Sequence, residues 1–94
     1  MMKIIFKHSY NCPISRRAKI EMDRFMKQQS RELEYEFVDV NENRSRSNEV
    51  AEKYGIRHES PQVIILDDAG DVLWNASHYE ISEDSISQAI SDIS

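Results

Sequence analysis

Cysteine occurs once in the 94 residues, as Cys12 in the run Phe6-Lys7-His8-Ser9-Tyr10-Asn11-Cys12-Pro13-Ile14-Ser15. An apolar run precedes it, and the segment that follows opens on proline and has helical patterning. Backbone N–H groups without partners and the positive end of a helix dipole meet at such a position, and both favour a thiolate. Ser15 lies one helical turn further on. Its hydroxyl can donate to a thiolate, as can the N–H groups of Ile14 and Ser15. A hydroxyl cannot resolve a mixed disulfide, so any exchange chemistry at Cys12 needs a second thiol from outside the chain. The competing reading is a buried, inert cysteine that acts as a small hydrophobe.

Other residue types nearby can serve such chemistry. Arg16 and Arg17 fall in the first turn of the helix, where cations oppose the dipole unless an anion sits close by. The alternative is that both face water and Arg17 pairs with Glu21 one turn on. His8, His58 and His78 are expected on connections near the site, with His8 tuning the charge of the thiolate or holding an anionic thiol. The spacing His8-x-x-x-Cys12 matches no standard metal motif, and no metal is expected. Tyr10 can stack on a ligand or simply pack, and Trp74 reads as core on the sheet.

These residues depend on the elements around them. Residues 3–7 read as a short buried strand. Pro13 suits a first helical position, and Ile14, Ala18, Met22, Phe25 and Met26 form one stripe of a helix ending near Gln29 or Ser30. Residues 35–40 read as a second strand and 41–47 as a polar connection. Residues 48–54 form a short helix stopped by Gly55. The aliphatic run 62–66 reads as a central strand, the acidic turn 67–70 as a hairpin and 71–74 as its second arm. Ser82 caps a last helix with Ile86, Ala89, Ile90 and Ile93 on its buried side.

The order β-α-β-α-β-β-α predicts one α/β domain over 1–94, with a four-stranded mixed sheet flanked by helices. The first two strands would be parallel, joined by a right-handed crossover. This is the thioredoxin-like arrangement. In that fold the active cysteine follows the first strand, where Cys12 stands, and Ser15 occupies the place of a second cysteine. Ser60-Pro61 opens the third strand, where such folds carry a cis-proline facing the cysteine. The residue before that proline offers its backbone to an extended substrate. A plain trans, strand-opening proline is the alternative.

Composition sets the outer bounds. Charged residues make up 31% and hydrophobic ones 39%, which fits a soluble globular chain. No apolar run approaches a membrane span, and the N-terminal residues lack the pattern of a signal peptide. A lone cysteine favours a reducing cytoplasm. The net charge of −5 argues against nonspecific binding to nucleic acid or to an anionic membrane. Most cations nevertheless lie between Lys3 and Arg31, opposed there only by Glu21 and Asp23, which is a setting for a small anion.

The segments Lys7-His8-Ser9-x-x-Cys12-Pro13-Ile14-Ser15, Tyr54-Gly55-Ile56, Glu59-Ser60-Pro61-Gln62 and Ala76-Ser77-His78 together resemble the monothiol bacilliredoxins, the YtxJ-like family. Asn11 departs from the threonine common before the cysteine. The resemblance implies a cytoplasmic thiol-disulfide oxidoreductase of the bacillithiol redox system, with S-bacillithiolated proteins and a low-molecular-weight thiol as partners. It implies no tightly bound cofactor, bacillithiol being a co-substrate. Cys12 would be the nucleophile and Ser15 its non-resolving companion. Lys7, His8, Pro13, Ile14, Arg16, Arg57, Ser60, Pro61 and His78 would surround the substrate, with Lys7, Arg16, Arg17 and Arg57 near the malate carboxylates of bacillithiol on grounds of charge. Two readings from other classes stay open: a non-catalytic redox-sensing or binding module, and a metal or iron–sulfur carrier like some monothiol glutaredoxins.

Overall fold

The structure is a computed structural model that describes residues 1–93. Its elements run β1 (Met2–His8), α1 (Pro13–Gln28), β2 (Leu33–Asp39), α2 (Arg44–Tyr54), β3 (Gln62–Leu66), β4 (Val72–Ser77), a 3-10 turn (His78–Glu80) and α3 (Glu83–Ile93). The sheet order is β2-β1-β3-β4. β1 runs parallel to β2 and antiparallel to β3, and β3 pairs antiparallel with β4. β1 and β3 are therefore the central strands, and every residue of β3 is buried. This is the expected α/β sheet with the thioredoxin connectivity.

Alternation along the central strands sends successive side chains to opposite faces. Ile4, Phe6, Val63 and Ile65 pack under α1 and α3 against Ala18, Met22, Phe25, Ile86 and Ile90. Ile5, Ile64 and Leu66 face the other way, with Val38 and Val50. α1 and α3 thus cover one face and α2 the other. Trp74 lies on the edge strand, half-buried against the larger core.

β1 and β2 differ from the sequence reading by one or two residues at their ends, and larger differences lie at α2, at the end of β4 and after it. α2 begins at Arg44, inside the stretch read as a polar connection. Asn43 caps it, its side chain accepting the Arg46 N–H at 3.3 Å. The few apolar residues in that turn hid it from a periodicity argument, although an asparagine cap is a start signal in its own right. β4 begins at Val72 and continues past Trp74 to Ser77, because pairing with β3 runs on to Gln62 opposite Ser77. The 3-10 turn after β4 was not anticipated.

An ionic cluster ties α2 to the sheet. Glu36 on β2 takes two bonds from Arg46, at 2.7 and 2.8 Å, and pairs with Lys3 at 3.0 Å. The Arg46 guanidinium, bonded to both oxygens, holds the Glu36 carboxyl down to about 2. The folded protein therefore keeps this carboxylate charged where the unfolded chain would protonate it. The resulting stability is complete above about pH 4.5 and is lost as pH falls toward about 2. It amounts to about 1–2 kcal/mol once screening of the part-exposed cluster is allowed for. In urea titrations Glu36→Gln should be less stable than the parent at neutral pH and should lose that deficit in acid. An equal deficit at both pH values would contradict this account.

Candidate active site at the end of the central strands

The register brings the chemistry to one end of the sheet. Lys7 on β1 pairs with Gln62 on β3, and Gln62 pairs with Ser77 on β4. The residues just beyond these pairs, His8 to Cys12, Ser60-Pro61 and His78, therefore share one end. The Ser60–Pro61 peptide bond is cis. The His78 N–H donates to the Pro61 carbonyl at 3.1 Å. His78 also has a left-handed backbone (φ 53°), which is uncommon for a residue with a Cβ. Gln62 braces the same loop, its side-chain amide donating to the Arg57 carbonyl at 3.0 Å.

Cys12 is the N-cap residue of α1, with extended backbone (φ −111°, ψ 121°), and Pro13 takes the first helical position as expected. The Cys12 carbonyl accepts the first helical bond, from the Arg16 N–H at 3.0 Å. The N–H groups of Ile14 and Ser15 come before that bond and have no intrahelical acceptor. No acidic side chain occupies the first turn. A thiolate at Cys12 would then be the anion at this helix start. Cys12 and Ile14 are half-buried, and Pro13 and Arg16 are exposed beside them.

Ser15 behaves differently from the expectation. It is fully buried, and its Oγ accepts the Ser9 N–H at 2.9 Å and lies 2.7 Å from His8 Nδ1. His8 is the last residue of β1, not part of a surface connection, and it too is fully buried. Its ring packs with Phe6, Phe37 and Tyr10, the last edge-on at 4.4 Å between centroids. Burial, aided by the nearby Lys19 charge, pushes the imidazole below its usual range, so it is neutral near pH 7. His8 Nε2 is buried with no polar partner among the described residues. An N–H set among aromatic rings finds electron-rich faces, whereas a bare lone pair there finds none. The proton therefore belongs on Nε2, and Nδ1 accepts the Ser15 hydroxyl hydrogen. That hydrogen is committed to His8 and not to Cys12. Ser15 and His8 together anchor the turn that carries the thiol.

Lys7 is likewise fully buried, on the opposite face from His8. Its Nζ donates to the Ser47 carbonyl at 2.9 Å and lies 3.2 Å from His58 Nδ1. Neither Lys7 nor His8 stands at the surface where the sequence reading expected a ligand. Arg17 does not pair with Glu21; its guanidinium lies over the Tyr79 ring at 5.9 Å, and Glu21 pairs with Arg24 at 3.0 Å. The three histidines do not converge: His8 lies within the core, His58 beside Lys7 and His78 beside Pro61. Among the described residues no three His, Cys, Asp or Glu side chains come together as a metal site.

Comparison with known proteins settles the family. Residues 1–86 match the model of the family described as "Monothiol bacilliredoxin BrxC". The chain belongs to the monothiol bacilliredoxin family. Among solved structures, this bacilliredoxin is similar to "a putative oxidoreductase with a thioredoxin fold", with a TM-score of 0.85 and 31% identity over 95% of this chain and 77% of the other. It also overlays on thioredoxin-2 of the malaria parasite, at a TM-score of 0.77 and 19% identity, covering 98% of this chain and 82% of that one. Fasciola hepatica thioredoxin matches with a TM-score of 0.72 and 21% identity, covering 97% and 79%. The latter two establish the fold. The bacilliredoxin is thus a thiol redox protein with a thioredoxin fold, and among its described residues no helix is long and apolar enough to cross a membrane.

Proposed function

We propose that this chain is a monothiol thiol-disulfide oxidoreductase that removes bacillithiol from protein mixed disulfides. The observation that carries the reading is the place of its single cysteine: the N-cap of α1, at the same sheet end as the cis Ser60–Pro61 bond. Cys12 Sγ, as thiolate, attacks the bacillithiol sulfur of a protein–S–S–bacillithiol bond. A new disulfide forms between Cys12 and bacillithiol, and the protein sulfur leaves as a thiolate that takes up a proton. A second small thiol, deprotonated, then attacks the Cys12-bound bacillithiol. It departs as the disulfide of the two small thiols, and Cys12 is regenerated. One thiol is consumed per cycle: its sulfur is oxidised to the disulfide level as the target sulfur is reduced to the thiol.

In this scheme the backbone of Ser60 meets an extended target, with Pro61 and Ile14 as apolar contacts. Pro13 keeps the helix start open to the sulfur. Arg16, in the first turn of α1, and Arg57 are exposed cations that would meet the substrate, and His78 donates to the Pro61 carbonyl. Bacillithiol acts as co-substrate, and no tightly bound cofactor has a role. A small-thiol reductant fits a reducing cytoplasm.

The test is turnover. With an S-bacillithiolated protein and excess bacillithiol, each chain should release many equivalents of protein thiol. Release of a single equivalent, with bacillithiol trapped on Cys12, would instead assign a redox sensor.

A further inference from the structure

Beside the thiol loop, on the α2 face, lies a cleft of about 390 Å³ lined by Val40, Asn41, Arg44, Ser47, Asn48 and His58. That volume is within the range of about 300–1,000 Å³ typical of small-molecule sites. No acidic side chain lines it. Behind its wall sits the Lys7 ammonium, wholly buried. Its partners are a carbonyl and an imidazole, at 2.9 and 3.2 Å, and no carboxylate pairs with it among the described residues. Buried charges are ordinarily paired, because desolvation costs far more than a neutral hydrogen bond returns. Burial lowers the Lys7 pKa with no carboxylate to offset it, and an anion in the cleft would favour its charged form.

The hydrogen-bond roles point the same way. An ammonium only donates, so His58 Nδ1 must accept from Lys7. Ser47 Oγ also lies 3.1 Å from that nitrogen. The imidazole proton then resides on Nε2. The exposed His58 therefore presents a donor at the cleft, beside the Arg44 guanidinium and the Asn48 amide.

The cleft is also joined to the thiol loop. The Val40 N–H donates to the His8 carbonyl at 3.0 Å, and the Asn41 amide donates to Ser9 Oγ at 3.1 Å. The Ser9 carbonyl in turn accepts the Cys12 N–H at 3.2 Å. This chain of bonds runs from Cys12 through Ser9 to Asn41, which lines the cleft.

We infer that this cleft is the carboxylate subsite of the small thiol, with Arg44, Asn48 and His58 as donors and Lys7 as the buried counter-charge. The inference rests on the proposed reaction for the identity of the thiol, but the cleft's preference for an anion stands apart from it. Of the cations that charge alone put near the carboxylates, it keeps Lys7 and leaves out Arg16, Arg17 and Arg57.

Two measurements decide it. The first is a backbone-amide NMR titration of the full chain with malate, which carries the carboxylates but no sulfur, and with inorganic phosphate as a second arm. Malate should shift residues 40–48 and 58 saturably, and Arg44→Gln, a surface change, should abolish those shifts. Stronger binding of phosphate would identify a phosphate site and overturn the carboxylate assignment. Malate shifts confined to residues 13–17, or none in the cleft, would overturn the subsite.

The second measurement is steady-state turnover with bacillithiol and with a neutral small thiol. Arg44→Gln should raise KM for bacillithiol by about tenfold or more with kcat unchanged, as expected for loss of one charged donor. KM for the neutral thiol should not move. An equal effect on both thiols, or none on either, would overturn the inference. Failure of the parent protein to turn over at all would refute the proposed function, while the malate titration would still read the cleft.

Discussion

Cys12→Ala is expected to reduce release of bacillithiol from a mixed disulfide to the uncatalysed rate, with the fold intact. The sulfur is the one atom that can form the covalent intermediate, and the cysteine side chain takes no part in capping α1. Thermal stability should therefore change little while turnover disappears. Ser15→Ala should give the opposite balance. Removing its hydroxyl leaves the Ser9 N–H and His8 Nδ1 without their buried partner, at a cost of about 1–3 kcal/mol. Turnover should fall but persist, because the hydroxyl hydrogen is directed to His8. Paired melting curves and turnover assays on the two variants check both halves. Complete loss of turnover in a folded Ser15→Ala protein would mean that Ser15 acts on the thiol directly.

The second large effect concerns His8. Its ring fills the space between Phe6, Phe37 and Tyr10. His8→Ala should cost about 2–4 kcal/mol, as for other buried large-to-small changes. Charge adds a pH signature that a purely steric role would lack. Burial holds the folded imidazole below its ordinary value of 6.5. The unfolded chain thus takes up a proton before the folded one does. Stability is complete above about pH 6.5 and declines as pH falls from there toward the folded value. His8→Phe keeps a ring in place but cannot titrate, so its stability should be flatter over that interval. Part of the slope should remain with His58, which burial and the Lys7 charge also hold low. The Glu36 contribution begins to be lost only below about pH 4.5. Denaturant midpoints at several pH values would show the difference; parallel slopes in parent and variant would exclude His8 as the source.

The sequence carried the frame of the site because its signals there are local. Pro13 after Cys12 specifies a helix start by stereochemistry alone. The aliphatic run Gln62–Leu66 has one plausible fate, a strand buried on both faces, and its bounds match those observed. The burial of Lys7 and His8 is a different kind of fact. It depends on what covers the strand end: α2 and the His58 loop on one side, the aromatic rings on the other. Ser15 was misjudged for the same reason, since its partner is chosen by the buried neighbour six to seven residues earlier and not by the nearby sulfur. α2 was read short because its first turn is polar, and its cap at Asn43 outweighs its weak amphipathicity.

The pleat of β1 has a consequence for change in this protein. Lys7 and His8 are adjacent in the chain but belong to opposite sides of the sheet. One side serves the anchoring of the sulfur and the other the charge behind the cleft. A single-residue insertion or deletion earlier in the strand would exchange their destinations, sending an ammonium among aromatic rings and an imidazole toward Ser47. Point substitutions can adjust either side alone. Length changes cannot, so the spacing from β1 to Cys12 is a fixed address shared by both sides of the sheet.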